Sequence, residues 1–157
     1  MLRFLTRRKR ILSGLVPDWT VLMEVRVPNG RGIKLEFKVD TQADYTAVPL
    51  SIAPRIGLDA DDIRRNATKI SIGTACGGGL TGYLQEVEFT LDDDYFGWAQ
   101  WRGTAAFCEP DPKDHYAGKI GFLEFLKFAD AGPEFTLDPV GGFPGRFQCS
   151  TRQRSNP

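Results

Sequence analysis

Asp40 is the residue of this chain best placed to do chemistry. It follows the alternating run Ile33-Lys34-Leu35-Glu36-Phe37-Lys38-Val39 and precedes a polar turn. A carboxylate at the end of a strand that is buried on one face has lost water on that side, so it needs hydrogen-bonding neighbours or a shifted pKa. The residues leave two interpretations open: an acid–base group, or a turn residue that caps its own loop through Asx-type bonds.

The motif Val39-Asp40-Thr41-Gln42-Ala43 resembles the active-site loop of the retropepsin-like aspartic proteases, hydrophobic-Asp-Thr/Ser-Gly-Ala/Ser, with Gln42 in the place of Gly. In that family each subunit of a homodimer gives one loop, and the two Asp side chains share a proton and activate a water. The resemblance implies Asp40 as the catalytic residue, Thr41, Gln42 and Ala43 as the residues that brace or line the loop, and Asp44 as a contact to the substrate peptide.

A glycine-rich stretch supports the same resemblance. Thr74 to Gly82 joins two strand-like runs, Lys69 to Gly73 and Tyr83 to Leu91. The family closes such a hairpin over bound peptide as a flap, which implies Cys76, Gly77, Gly78 and Gly79 as substrate-binding residues. Glycine-hinged loops commonly serve as lids. A plain mobile hairpin is the other interpretation.

The end of the chain follows the family's order as well. Ile120-Gly121 precedes a predicted amphipathic turn of helix in which Phe122, Phe125 and Leu126 share a face. The strand Glu134 to Asp138 then closes the order. The resemblance therefore implies an aspartic-type endopeptidase that acts as a homodimer on a peptide or protein substrate, without metal or cofactor. The alternative is a catalytically inactive peptide-binding or scaffolding module, because Gln42 replaces the motif Gly.

A predicted hairpin positions Asp40. Trp19 to Val27 and Ile33 to Val39 flank the turn signal Asn29-Gly30, in which both residues tolerate positive φ. Pro49 to Leu58 predicts a short helix with Ser51 as N-cap and Gly57 as the stop. Seventeen Gly and ten Pro among 157 residues favour a β-rich fold. We expect a single all-β domain, a closed β-barrel of the retropepsin-like type with one or two short helices.

Three regions are predicted: a basic N-terminal tail over residues 1–17, the retropepsin-like domain over 18–140 and a C-terminal extension over 141–157. The first region has no acid and five basic residues. It predicts a disordered or weakly helical tail, with an organelle transit segment or a patch that touches nucleic acid or anionic lipid left open. We expect the C-terminal extension either to add a strand at a dimer interface or to make no contact with the domain.

Bulk composition excludes several classes. Twenty basic and twenty acidic residues cancel, so no global field points to a nucleic-acid partner, and no run of about 18 apolar residues predicts a membrane span. Asp92-Asp93-Asp94 lacks the ligand order of a calcium loop, and we expect a solvated turn there. We expect no metal site.

The cysteines are Cys76, Cys108 and Cys149, and the sole imidazole is His115. Their wide spacing argues against a disulfide framework or a zinc site, and for a reducing compartment such as the cytoplasm. A cysteine hydrolase that uses Cys76 or Cys108 with His115 is a further alternative, although neither Cys lies in a nucleophile motif.

Overall fold

The fold is built mainly from β-strands. The computed structural model describes residues 1–74 and 78–149. Within them the strands are β1 (Leu2–Leu5), β2 (Arg7–Ile11), β3 (Gly14–Asp18), β4 (Thr20–Arg26), β5 (Gly32–Val39), β6 (Ala47–Pro49), β7 (Thr68–Gly73), β8 (Gly79–Asp92), β9 (Trp98–Glu109), β10 (His115–Ala117), β11 (Leu126–Asp130), β12 (Glu134–Pro139) and β13 (Arg146–Gln148). A 3₁₀ helix (Leu50–Ile56) and α1 (Ala60–Asn66) follow β6. The predicted all-β class with one or two short helices is confirmed.

Six strands form a closed cycle of hydrogen-bonded neighbours. β4 pairs antiparallel with β5 and with β8, and β8 pairs antiparallel with β9. β9 runs parallel to β6, and the short β10 joins β6 to β5. A ring-like sheet therefore stands where a closed β-barrel was predicted. β7 and β13 extend this sheet, while β1, β12 and β11 form a second, three-stranded sheet.

The hydrophobic core follows from alternation along the ring strands. On β4, Val21, Met23 and Val25 are buried, as the predicted hairpin requires. Trp101 on β9 is the largest fully buried side chain, and its indole Nε1 donates to the carbonyl oxygen of Gly121 at 2.9 Å. That bond satisfies the one polar atom of the ring, so a large aromatic can fill the core without an unpaired donor.

The disordered or weakly helical conformation predicted for residues 1–17 is wrong. β1 pairs antiparallel with β12, and both Leu2 and Phe4 are buried. β2 and β3 form a two-stranded hairpin. The physical reason is that Leu2 and Phe4, on either side of Arg3, project from the same face of β1. They reach apolar partners more than 130 positions away, such as Leu137 across the β1–β12 ladder. The domain limits at 18 and 140 stay a prediction.

The described part of the C-terminal extension adds an edge strand to its own chain. β13 pairs antiparallel with β9, with Phe147 opposite Ala99. Phe143 packs on Trp101 with ring centroids 5.9 Å apart. Residues 143–148 therefore cover part of the core within one subunit.

Two helix predictions need correction. The helix after β6 has the predicted stop, with Gly57 in the left-handed region at φ 91°, but Ser51 does not cap it. Pro49 occupies the N-cap, and the Ser51 hydroxyl donates to Asp111 Oδ2 at 2.6 Å. The predicted helix after Gly121 is a turn, because the chain enters β11 at Leu126 and pairs with β12 there. No helix in the described residues is long and apolar enough to cross a membrane.

Truncating the side chain of Phe4 tests whether β1 belongs to the folded unit. Phe4 is 4% exposed and stacks on Phe135 with ring centroids 5.1 Å apart. We expect Phe4→Ala to lower the free energy of unfolding by about 3–5 kcal/mol in urea titrations. The neighbouring Leu5→Ala is the control, because Leu5 is 56% exposed, and its effect should stay within about 0.5 kcal/mol. Equal effects of the two variants would mean that β1 does not contribute to the core.

Candidate active site

Asp40 lies where β5 ends beside the end of β10. The two strands are parallel neighbours, with Ala117 opposite Val39, and the amide of Asp40 donates to the carbonyl oxygen of Ala117 at 3.1 Å. Because the strands run in the same direction, the segments that follow them leave the sheet together. Residues 40–46 and 118–121 thus form one structural unit.

Asp40 is half-buried, and its carboxylate is held by its own loop. Its Oδ1 accepts a hydrogen bond from the amide of Gln42 at 2.8 Å, and the amide of Ala43 donates to the carbonyl oxygen of Asp40 at 3.2 Å. This is the Asx-type bond of the turn interpretation. It fixes one oxygen, while no group of the described residues bonds Oδ2 through an N–H or O–H. The bond therefore orients the carboxylate and leaves its other oxygen open to a further partner.

Gln42 fits the loop of a single chain. Its backbone is not among the positive-φ positions, which for non-glycine residues of the described chain are Asn29 and Phe96. Glycine is therefore not required at position 42 by backbone conformation. The Gln42 side chain, like that of Thr41, is exposed. Any conflict over this side chain must come from a molecule that approaches the loop from outside.

Backbone hydrogen bonds lock the Asp40 loop to the segment after β10. The backbone amide of Lys119 donates to the carbonyl oxygen of Ala43 at 2.9 Å. The backbone amide of Ile120 donates to the backbone carbonyl oxygen of Asp44, also at 2.9 Å. The amide of Thr46 returns a bond to Ile120 at 2.9 Å. These bonds pair residues 43–46 with residues 119–120 in the manner of a short parallel ladder. They fix the position of Asp40 through the backbone.

Gly118 and Thr46 complete this unit, and sequence reasoning missed both. A Cβ on Gly118 would overlap the carbonyl oxygen of Tyr45 and lie 2.8 Å from that of Ala43. Thr46 is fully buried, and its Oγ1 accepts from the amide of Gly118 at 3.3 Å. A glycine can indicate a close backbone contact, so Gly118 could have been noticed in the sequence, but its partners lie more than 70 positions away.

Two ion pairs flank the unit. Lys119 Nζ lies 3.0 Å from Asp44 Oδ1, with both side chains more than half exposed. Asp44, the expected substrate contact, is therefore already paired at the rim. Lys38 on β5 lies 2.8 Å from Asp114, just before β10. The hydrogen bond from the Lys38 ammonium holds the pKa of Asp114 below its usual value, and the same bond raises the pKa of Lys38.

The predicted flap corresponds to the hairpin of β7 and β8. Its last pair is Gly73 with Gly79, and Thr74 bonds Gly78 through both its amide, at 3.0 Å, and its hydroxyl, at 2.7 Å. Gly78 and Gly79 are exposed. Cys76 and Gly77, also predicted to bind substrate, lie outside the described residues.

The hairpin packs beside the Asp40 loop. A small apolar cluster has buried residues on β6 and β9 and half-buried residues on the hairpin and at Tyr45; its members are Ala47, Ala106, Cys108, Tyr45, Ile70, Ile72, Leu80 and Leu84. Gly82 on β8 lets the sheet approach, since a Cβ there would lie 3.0 Å from Ile70 and 3.3 Å from Ala106. The half-buried members of this cluster give the site an apolar wall.

The geometry contradicts a Cys108 nucleophile. Cys108 is fully buried, and this burial raises the pKa of its thiol to about 11. A thiol is a nucleophile only as the thiolate, which is scarce at neutral pH with such a pKa. His115 Nδ1 lies 3.0 Å from the carbonyl oxygen of Glu36. Cys76, the other cysteine candidate, lies outside the described residues.

Residues 1–74 and 78–149 contain no cluster of three or more His, Cys, Asp or Glu side chains that could hold a metal ion. The residues assembled around Asp40 give the site one oriented carboxylate in an exposed loop, beside an apolar wall.

Comparison with known proteins gives a likeness among solved structures. No model of a protein family matches the chain, and no curated protein matches it. Among solved structures, the chain is similar to a retropepsin-like aspartic protease from Rickettsia conorii, with 17% sequence identity and a TM-score of 0.48 over 86% of this chain and 98% of that one. The chemistry attributed to this chain rests on its own residues.

A methyl group on Gly118 should disturb the unit that holds Asp40. Because the Cβ would meet backbone oxygens rather than flexible side chains, we expect Gly118→Ala to lower the free energy of unfolding by about 1–3 kcal/mol, measured by urea titration. Gly141→Ala is the matched control, because a Cβ there has no neighbour within 4 Å. It should be neutral or stabilising by up to about 1 kcal/mol. A Gly118→Ala protein as stable as the control would contradict the proposed close contact.

Proposed function

We propose that this chain is an aspartic-type endopeptidase that acts as a homodimer. The observation that carries the proposal is the setting of Asp40. Asp40 is half-buried at the end of β5. One oxygen of its carboxylate accepts a hydrogen bond from the backbone amide of Gln42 at 2.8 Å, and its loop is fixed by backbone bonds to residues 118–121. A rigidly held carboxylate in an exposed loop is suited to acid–base chemistry on a bound ligand.

One carboxylate is not sufficient for peptide-bond hydrolysis. One group must accept a proton from water while another gives a proton to the substrate. In the described residues, the next acid along the loop, Asp44, is engaged by Lys119 at 3.0 Å. A two-fold axis beside the loop would supply a second Asp40, and C₂ is the commonest symmetry of oligomers. Two carboxylates that share a site cannot both ionise, as is well known for aspartic proteases, so one serves as acid and the other as base.

The remaining site residues have supporting roles in this proposal. Thr41 braces the paired loops, and Gln42 and Ala43 line them. Asp44, held by Lys119 at the rim, contacts the backbone of the peptide substrate. The β7–β8 hairpin with Gly78 and Gly79 covers the substrate as a flap, and the apolar wall that includes Tyr45 and Ile72 favours apolar side chains. No metal or cofactor takes part, and the cytoplasm is the compartment that we expect.

The second candidate is a peptide-binding or scaffolding module without catalysis. The side chain of Gln42 favours it: this side chain is exposed, and it would occupy space that the glycine of the resembled motif leaves open to a second loop. Two glutamines at a two-fold axis would hold the carboxylates apart. The groove and the dimer would then persist without a shared proton.

Cleavage of a diverse peptide pool tests the first candidate. Between about pH 4 and 7 we expect the parent protein to cleave. We expect Asp40→Asn to be slower by about 100-fold or more, because the substitution removes the acid–base carboxylate. Asp130→Asn is the matched control, because Asp130 Oδ1 also accepts the amide two residues on, that of Gly132, at 3.0 Å in an exposed turn. This variant should retain parental activity. Equal losses in both variants would remove Asp40 from the mechanism.

Gln42→Gly separates the two candidates. If the parent is a protease, the variant should cleave the same peptides at a rate comparable to the parent. If the parent is inactive and folded while Gln42→Gly cleaves, the natural protein is a binding module whose loop excludes catalysis. Absence of cleavage in both proteins, measured by mass spectrometry of the pool, would contradict the protease proposal.

A further inference from the structure

The hairpin of β2 and β3 forms a two-stranded sheet of its own. The two strands pair with each other from Arg7 opposite Asp18 to Ile11 opposite Gly14, and with no other strand of the described chain. Every residue of β2 is exposed. An isolated two-stranded hairpin is only marginally stable in water. The exposed side chains of β2 are available to a partner.

The two faces of this hairpin differ in charge pairing. On one face, Arg7 lies 2.9 Å from Glu36, and Lys9 contributes to lowering the pKa of Asp114, after the larger effect of the Lys38 hydrogen bond. On the other face lie Arg8 and Arg10, which take part in none of the ion pairs of the described residues. That second face therefore presents two uncompensated positive charges.

The same face continues into an aliphatic tip. Arg10 is opposite Leu15 and Arg8 is opposite Pro17, and directly opposed residues project from the same face of a ladder. Leu15 is 61% exposed, and Leu12 at the turn is fully exposed. Ile11, 42% exposed, precedes Leu12 in the chain but projects from the opposite face, with Arg7 and Lys9. Large aliphatic side chains clustered in water at the end of a cationic ribbon mark an interaction site.

Charge is also distributed unevenly over the whole chain. Residues 1–17 carry five basic residues and no acid, and since the chain has twenty of each sign, the remainder has five more acidic than basic residues. An anionic surface would attract the hairpin and repel the rest of the protein. This asymmetry gives the encounter a preferred orientation.

We propose that the β2–β3 hairpin docks the protein on an anionic lipid bilayer. Arg8 and Arg10 bind the headgroup phosphates, and Leu12 and Leu15 insert at the boundary with the acyl chains. A bilayer explains both parts of the face. A nucleic acid would use the arginines but not the leucines, because exposed bases stack on aromatic side chains and residues 7–18 contain none.

Flotation of the full-length protein with phosphatidylcholine vesicles, with and without phosphatidylglycerol, tests this proposal. We expect binding only when phosphatidylglycerol is present. The double variant Arg8→Gln, Arg10→Gln should partition about 30-fold more weakly, in line with the usual contribution of two arginines near an anionic surface. Leu12→Ser combined with Leu15→Ser should weaken partitioning by about tenfold or more.

The matched control removes the same charge elsewhere. Arg55 and Arg65 are exposed and lie in the helical region, so Arg55→Gln combined with Arg65→Gln should partition within about threefold of the parent. Absence of binding to phosphatidylglycerol vesicles, or an equal loss in the control, would overturn the proposal. Binding that survives the leucine substitutions and is displaced by duplex DNA or RNA would also overturn it, in favour of a nucleic-acid partner.

Discussion

The backbone bonds between the Asp40 loop and the segment after β10 are the constraint on which the rest of the structure depends. The short β10 joins β5 to β6 and so closes the ring, and the chain then continues beside residues 43–46. Thr46 extends the connection, because its carbonyl oxygen accepts from the amide of Ala106 on β9 at 2.8 Å. Gly121 extends it further through Trp101 in the core. The same segment of the chain therefore closes the ring and positions Asp40.

This coupling has a consequence for the chemistry. The Asp40 carboxylate is oriented by its own loop, and the loop is oriented by backbone contacts that do not depend on side-chain identity at positions 41 and 42. Gln42 is compatible with this unit within one chain, because its backbone N–H donates to the Asp40 carboxylate and its backbone needs no positive φ. The effect of Gln42 on chemistry therefore depends on which molecule approaches the loop from outside, and the two proposed functions differ in that contact and not in the fold.

Local patterns predicted the parts of the fold that local physics determines. The alternation of β4 and β5, the turn at Asn29 with φ 60° and the stop at Gly57 all follow from short-range sterics and burial. The candidate carboxylate was found in the same way. The partners of Gly118 and Thr46 were not, because their contacts span more than 70 positions.

Two predictions from local sequence patterns are wrong, because strand pairing with a distant segment determines the conformation. Phe122 and Leu126 are fully buried, as the predicted amphipathic turn of helix requires, but pairing with β12 makes Leu126 the start of a strand. The basic residues that follow β1 led to the prediction of a disordered or weakly helical tail in place of this strand. In both places a long-range ladder decides the conformation, and short windows contain no record of the partner strand.

Subunit mixing tests the central claim, that the site needs two copies of Asp40, most directly. Parent and Asp40→Asn chains would be combined in varying ratios under conditions that allow exchange, and peptide cleavage would be measured at constant total protein. If activity requires both carboxylates of a two-fold dimer, the rate falls with the square of the parental fraction, to about one quarter in an equal mixture. A linear fall, to about one half, would show that each chain acts alone and would contradict the account.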